Sequence, residues 1–145
     1  MNTIIGLKEL RQNTEKYIGA VKRGRSFTVV RRSKPIFKVG NVLNIPFEDK
    51  SFDVILADAV LMYFKFSELV QALNEMNRVA KRFIVLVERV SEKEKNNGFI
   101  WSRNYLKLLE DLGFSVQTRK LEEKDWPESE GWQKEGMIVV ASRPV

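Results

Sequence analysis

Apolar positions near the start of the chain recur at helical spacing: Leu7, Leu10, Tyr17, Ile18 and Val21 share a stripe that stops at Gly24, where a C-terminal glycine is expected. This pattern predicts a basic amphipathic helix, with Gly19 the place for a break. FTVVRR and PIFKV follow as two β-rich runs around Ser33-Lys34, a hairpin by length and composition although its turn lacks Asn-Gly or Asp-Gly. Further on the period changes. FDVILAD is a near-continuous apolar strand ending in Asp58, Leu69, Val70, Leu73, Met76 and Val79 form a helical stripe, and KRFIVLVE is a second buried strand. Strand, helix, strand predicts a parallel pair. A further helix is expected after Ser102 as its N-cap, through Tyr105, Leu106, Leu109 and Leu112 to Gly113. FSVQTRKLE, the polar loop DWPESEGWQ and the strand MIVVASRP complete the order. The whole reads as one open α/β sheet with an antiparallel final strand. Its buried strand positions are expected at Ile36, Phe37, Val39, Val54, Ile55, Leu56, Ile84, Val85, Leu86, Ile138, Val139 and Val140.

Composition narrows the chemistry. At 145 residues the chain can bury a real core, and with no cysteine and no histidine it has neither disulfides, thiolate metal sites nor an imidazole base. No metal site is expected: Asp53 and Asp58 bracket a strand roughly 17 Å long and cannot share an ion. A reducing cytoplasm is the expected location, since no apolar run approaches the ~20 residues that cross a bilayer. Charge is unevenly placed. Residues 1–39 hold ten basic and two acidic side chains, a net +8, while the other 106 residues hold 15 basic and 17 acidic ones, a net −2.

The front segment, MNTIIGLKELRQNTEKYIGAVKRGRSFTVVRRSKPIFKV, resembles the N-terminal domain of the Phd/YefM antitoxins in its short first strand, its ELRQN helix start, its RGRS helix end and its TVVRRSKP hairpin. The resemblance implies a homodimer that binds DNA, with Arg11 and Arg31 on the positions of the family's DNA-contacting arginines. From Gly40 onward the chain resembles the C-terminal half of a class I, type 11, S-adenosylmethionine-dependent methyltransferase. GNVLNIPFEDKSFDVILADAVLMYF carries the likeness, and KRFIVLVE, YLKLLEDLGF and GMIVVASRP follow in the right order. That resemblance implies a Rossmann-like fold and a cofactor edge made by Gly40, Asn41, Val42 and Asp58, with Asn41 where the family has an acid for the adenine amino group.

Taken together, these features predict a single hybrid domain over residues 1–145. An antitoxin-like segment, 1–39, supplies a helix and hairpin that complete the sheet of a half methyltransferase, 40–145, and the join falls inside a strand at Val39-Gly40. Cofactor sites of this kind need a glycine-rich loop after the first strand and an acidic residue ending the second, and the chain has neither. No catalytic activity and no cofactor are therefore expected of the isolated chain. Two alternatives stand beside that reading: a DNA-binding antitoxin-like dimer, and a methyltransferase using S-adenosylmethionine that a partner completes.

Overall fold

The basic stripe at the start of the chain folds as two helices, not one. The structure, a computed structural model, describes residues 3–127 and 129–144, with Ile36 and Phe37 described by their backbone alone, so the burial expected of those two lies outside the described residues. Strand β1 (Thr3–Gly6) runs into helix α1 (Leu7–Gln12), and α2 (Thr14–Lys22) follows after Asn13, whose φ of −128° and ψ of 37° leave the helical region. The break is at Asn13 rather than Gly19, because polar side chains there turn back on the preceding turn. Asn13 Nδ2 donates to the Glu9 carbonyl at 3.5 Å and Thr14 Oγ1 to that of Leu10 at 2.9 Å. Strands β2 (Phe27–Arg31) and β3 (Lys34–Val39) form the expected hairpin, and β1 adds to it in parallel with β2. Ile5, Tyr17, Ala20, Phe27 and Val29 make the core of this part, where the Tyr17 ring meets Phe27 edge-on at 4.9 Å.

The hairpin turn is made by residues that carry no glycine signal. Arg31 pairs with Lys34, and between them Arg32 and Ser33 take φ values of 50° and 62°. Two positive φ values in a two-residue loop are what a type I′ turn requires, and side chains without an amide or glycine adopt them at a cost of about 1 kcal/mol each.

Further along, β4 (Phe52–Asp58), α3 (Phe66–Val79) and β5 (Ala80–Arg89) form the expected parallel unit. A two-stranded ribbon of β6 (Lys95–Asn96) and β7 (Trp101–Ser102) leads to α4 (Tyr105–Asp111), and β8 (Ser115–Lys120), α5 (Glu130–Glu135) and β9 (Gly136–Ser142) follow. The sheet order is β4-β5-β9-β8, with β9 antiparallel to both its neighbours, as the pattern predicts. The cap of α4 is Asn104, whose side chain accepts from the Lys107 amide at 3.1 Å. Ser102 sits instead in β7, its hydroxyl donating to Glu135.

Strand register divides this sheet into two faces. Ala57, Ile84, Leu86, Glu88, Val139 and Ala141 lie on one face and are buried, as are the α3 residues Leu69, Ala72, Leu73, Met76 and Val79. On the other face Val87 and Ile138 pack with Trp132 and Trp126, whose rings stack at 4.4 Å. Val54 and Leu56 share that second face yet are 52% and 65% exposed, against the expectation that both are buried. Val85, Val140 and Ile138 are half-buried.

The chain divides into two compact units, residues 1–47 and 48–145. The expected shared sheet is not formed among the described residues. The hairpin belongs to the three-stranded sheet β1-β2-β3, and β4 pairs with β5. For β2 the reason is plain, because β1 occupies one of its edges and β3 the other.

Replacing Arg32-Ser33 by Asn-Gly removes the left-handed cost of the turn without touching the core. The double substitution is expected to stabilise the protein by about 1–2 kcal/mol in urea unfolding, less whatever the added glycine loses to the unfolded chain; unchanged or lowered stability would exclude the strained two-residue turn.

Candidate functional site

Alternation along β5 sends Ile84, Leu86 and Glu88 to the same, inward face, so a carboxylate ends up where an aliphatic side chain would be expected. Glu88 is fully buried at the carboxyl end of the strand. Beside it β4 ends at Asp58, and the chain reverses through Ala59, a non-glycine residue at φ 52° whose amide donates to the Val87 carbonyl at 2.8 Å. The next three amides converge on the carboxylate: Val60 and Leu61 donate to Oε1 at 2.9 and 2.7 Å, and Met62 to Oε2 at 3.3 Å. These contacts hold the short 3-10 turn Leu61–Tyr63, whose Leu61 and Met62 are buried. Burial pushes the Glu88 carboxyl up to about 7, the Leu61, Val60 and Met62 amides oppose the rise, and the charge of Asp58 adds to it. A carboxyl that titrates near neutrality at the end of a parallel strand is equipped either to move a proton or to lock a loop.

The chain leaving β5 builds the rest of the site. Glu135 accepts from Ser102 Oγ at 2.6 Å, Arg89 Nη2 at 2.8 Å and Lys95 Nζ at 3.1 Å, and these partners, Ser102 foremost, hold its carboxyl down at about 2. This cluster ties the β6–β7 ribbon to the end of α5. Arg103 follows, 2% exposed, with Nε donating to Glu94 at 2.6 Å and the guanidinium 4.5 Å from the Trp101 ring centroid. Tyr105 is buried next along the chain, its phenol pushed up by burial first, with Glu88 adding and Arg103 opposing. A pocket of about 340 Å³ opens here, lined by Phe66, Glu92, Glu94, Arg103, Lys107 and Leu108 among others.

The residues that the sequence singles out fall in different places. Gly40, Asn41 and Val42 belong to the first unit, in the turn after β3. Asn41 Oδ1 accepts from the Leu43 amide at 3.0 Å, so that oxygen closes a local turn. Gly40 suits a close approach there, because a Cβ would meet Pro46 at 3.2 Å. Asp58 is the exposed last residue of β4, in the second unit. Arg11 is exposed in the last turn of α1, where it lines a pocket of about 320 Å³ with Lys8 and Gln12, and Arg31 is exposed at the end of β2. Glu88, Arg103 and Tyr105 were not among the sequence candidates. The parity of KRFIVLVE is the one signal for Glu88, since it places an acid in register with Ile84 and Leu86. Among the described residues no three Asp or Glu side chains gather to hold a metal ion, and no helix is long and apolar enough to cross a membrane.

Residues 12–84 match the family model described as "Methyltransferase domain", a match that runs across Val39-Gly40. No curated protein sequence matches the chain. Among solved structures, an S-adenosylmethionine-dependent methyltransferase from Methanosarcina mazei is similar at 18% identity and a TM-score of 0.53, covering 82% of this chain and 67% of its own. Magnesium protoporphyrin IX methyltransferase from Synechocystis, solved with bound S-adenosylmethionine, is similar at 14% identity and a TM-score of 0.53, over 99% of this chain and 60% of its own. The cyclase SpnF is similar at 16% identity and a TM-score of 0.54, over 100% and 67%. At these identities the likeness is one of fold, a mixed α/β methyltransferase-like fold.

Glu88 makes stability depend on pH in a defined direction. The folded carboxyl keeps its proton to about pH 7, whereas its ordinary value is 4.5, so the folded state binds the extra proton between those limits. Its contribution is complete below pH 4.5 and is lost as pH rises through 7. Glu88→Gln, which keeps an acceptor for the amides, is expected to flatten the fall in unfolding free energy between pH 4.5 and 7.5 by on the order of 2–3 kcal/mol. Urea unfolding of both proteins at the two pH values measures this; parallel profiles would exclude a neutral, buried Glu88.

Proposed function

The chain belongs to the methyltransferase domain family, and from that premise we propose that it is a catalytically incomplete domain of that kind, a hybrid whose ligand-facing end is the carboxyl edge of β4 and β5. The observation that carries the incompleteness is the connection after β1. The chain passes into α1 through Gly6-Leu7-Lys8, a single glycine, where the cofactor's methionine end needs a glycine-rich loop. Strand β2 ends on Arg31, a cation, where an acid would hold the ribose. The Asn41 oxygen already serves a local turn. These residues do not fit S-adenosylmethionine, and each lost polar anchor weakens binding by roughly 1 to 3 kcal/mol. Methyl transfer also demands reacting atoms held in line, a positioning that supplies about 7 to 11 kcal/mol of the barrier and that a half site does not provide. The antitoxin likeness of residues 1–39 supports a recombined origin, and in this reading the two units act together as one hybrid domain. That a fold of this type also occurs in a protein named as a cyclase fits a domain whose chemistry is set by its site and not by its architecture.

A second reading is favoured by the family match and by the organised Glu88 end of the sheet: a methyltransferase whose glycine loop comes from a partner, with S-adenosylmethionine bound across the completed site. A third, DNA binding by a homodimer, is favoured by the net +8 of residues 1–39 and by the exposure of Arg11 and Arg31.

Isothermal titration of the chain with S-adenosylmethionine tests the first reading: binding weaker than about 1 mM is expected, near 4 kcal/mol, and micromolar affinity would overturn it. A gel shift run beside it, at two salt concentrations, is expected to show only weak, salt-sensitive retention; a tight complex abolished by Arg11→Ala would put the DNA reading first.

A further inference from the structure

The polar groups around Glu88 and Arg103 are compensated very unequally. Glu88 receives three donors. Arg103, equally buried, presents five N–H donors and places one of them, Nε–H, on Glu94; its Nη1 and Nη2 and the neighbouring Tyr105 hydroxyl are buried with no hydrogen-bond partner among the described residues. Buried donors of a charged group are rarely left so, because each unmade bond costs about 1–3 kcal/mol. The guanidinium lies over the Trp101 ring, 4.5 Å from its centroid, and its planar fork matches a carboxylate through two parallel bonds.

We propose that the pocket between the start of α3, the 91–94 segment and α4 binds a monocarboxylate with an apolar body, with Arg103 taking the carboxylate and the Glu94 side chain standing in its place in the structure. Phe66 and Leu108 supply the apolar wall. The volume, about 340 Å³, lies within the range of small-ligand sites, and the lining segments are those that leave the carboxyl ends of β4 and β5, where open α/β sheets bind their ligands. With Glu92, Glu94 and Asp111 beside Arg103 and Lys107, the lining holds three acids against two bases, which opposes a doubly charged phosphate more than a singly charged carboxylate. Glu94 is 43% exposed and its segment is tied elsewhere, by the Ser91 amide to the Arg103 carbonyl at 3.1 Å and by Lys95 to Glu135. Its carboxylate can therefore swing out and leave the fork to an incoming one. That such a ligand is a methyl acceptor rests on the family reading above; the binding itself does not.

The test is titration of ¹⁵N-labelled protein, without cofactor, with benzoate, benzamide and inorganic phosphate, following the Arg103 Nε–H and Trp101 indole resonances. Saturable shifts with benzoate alone are expected, tightened about tenfold in Glu94→Gln, where the internal competitor has lost its charge, and abolished in Arg103→Gln. Benzamide binding as well as benzoate would mean an apolar pocket that ignores charge and would overturn the proposal, as would saturation by phosphate at lower concentration than benzoate. Glu94 is at the surface, so Glu94→Gln decides the matter even where Arg103→Gln does not fold. An unchanged benzoate affinity in that variant sinks the idea. Because no S-adenosylmethionine is present, failure here is separate from failure of the methyltransferase reading.

Discussion

One carboxylate fixes the carboxyl edge of the larger sheet. Three successive amides, of Val60, Leu61 and Met62, leave β4 in a direction that no strand or helix partner serves, and two of the residues that carry them are buried. Without Glu88 those donors would lack acceptors at about 1–3 kcal/mol each. With it, the chain can reverse through a left-handed Ala59, start the 3-10 turn and present α3 to the sheet. The carboxylate itself is costly to bury: removal from water pushes the Glu88 carboxyl up to about 7 against the three amide hydrogen bonds that oppose the rise. The strain at Ala59 and the raised carboxyl are therefore two parts of one arrangement, a turn held in an unfavourable conformation by a group held in an unfavourable environment.

Much of the architecture was legible from periodicity, and the places where it was not have specific causes. FDVILAD, the Leu69–Val79 stripe, KRFIVLVE and MIVVASRP announced β4, α3, β5 and β9 because burial of a whole face leaves an apolar record. A run of apolar residues reports hydrophobicity without reporting which face is covered, so Val54 and Leu56, exposed on the second face of β4, read like Ile84 and Leu86. The helix break at Asn13 and the cap at Asn104 were missed in favour of Gly19 and Ser102 for one reason. In both cases an asparagine beside a helix end satisfies local backbone groups, and the neighbouring candidate only looked suitable by type. The hairpin is legible in its two β-rich runs, but the type of its turn at Arg32-Ser33 is not, since neither residue favours positive φ.

The site was less legible than the fold, because its residues are recognised by what surrounds them. Arg11 and Arg31 stand out in the sequence as charge, and the structure leaves them as exposed charge. Glu88 and Arg103 look in the sequence like ordinary ends of a strand and a loop. What distinguishes them is burial, which depends on β5 alternation for one and on the ribbon pinned by Glu135 for the other. The family resemblance behaves similarly. It implies a cofactor edge at Gly40, Asn41, Val42 and Asp58, but a motif does not say what local bonds a side chain makes, and the Asn41 oxygen accepts from the Leu43 amide.

The two buried ionisable side chains also separate stability from binding within a single edge of the sheet. Glu88 has as many donors as its two oxygens need to hold a loop, and nothing about it asks for a further partner. Arg103 has one acceptor, an exposed glutamate on a loop, against five donors. A group whose partners are all internal belongs to the fold; a group whose one partner is a charged side chain at the surface is open to exchange. The pocket beside Arg103 is lined wholly by residues between 66 and 111, so whatever it binds depends on this stretch of the chain and on nothing that a glycine-rich loop would supply.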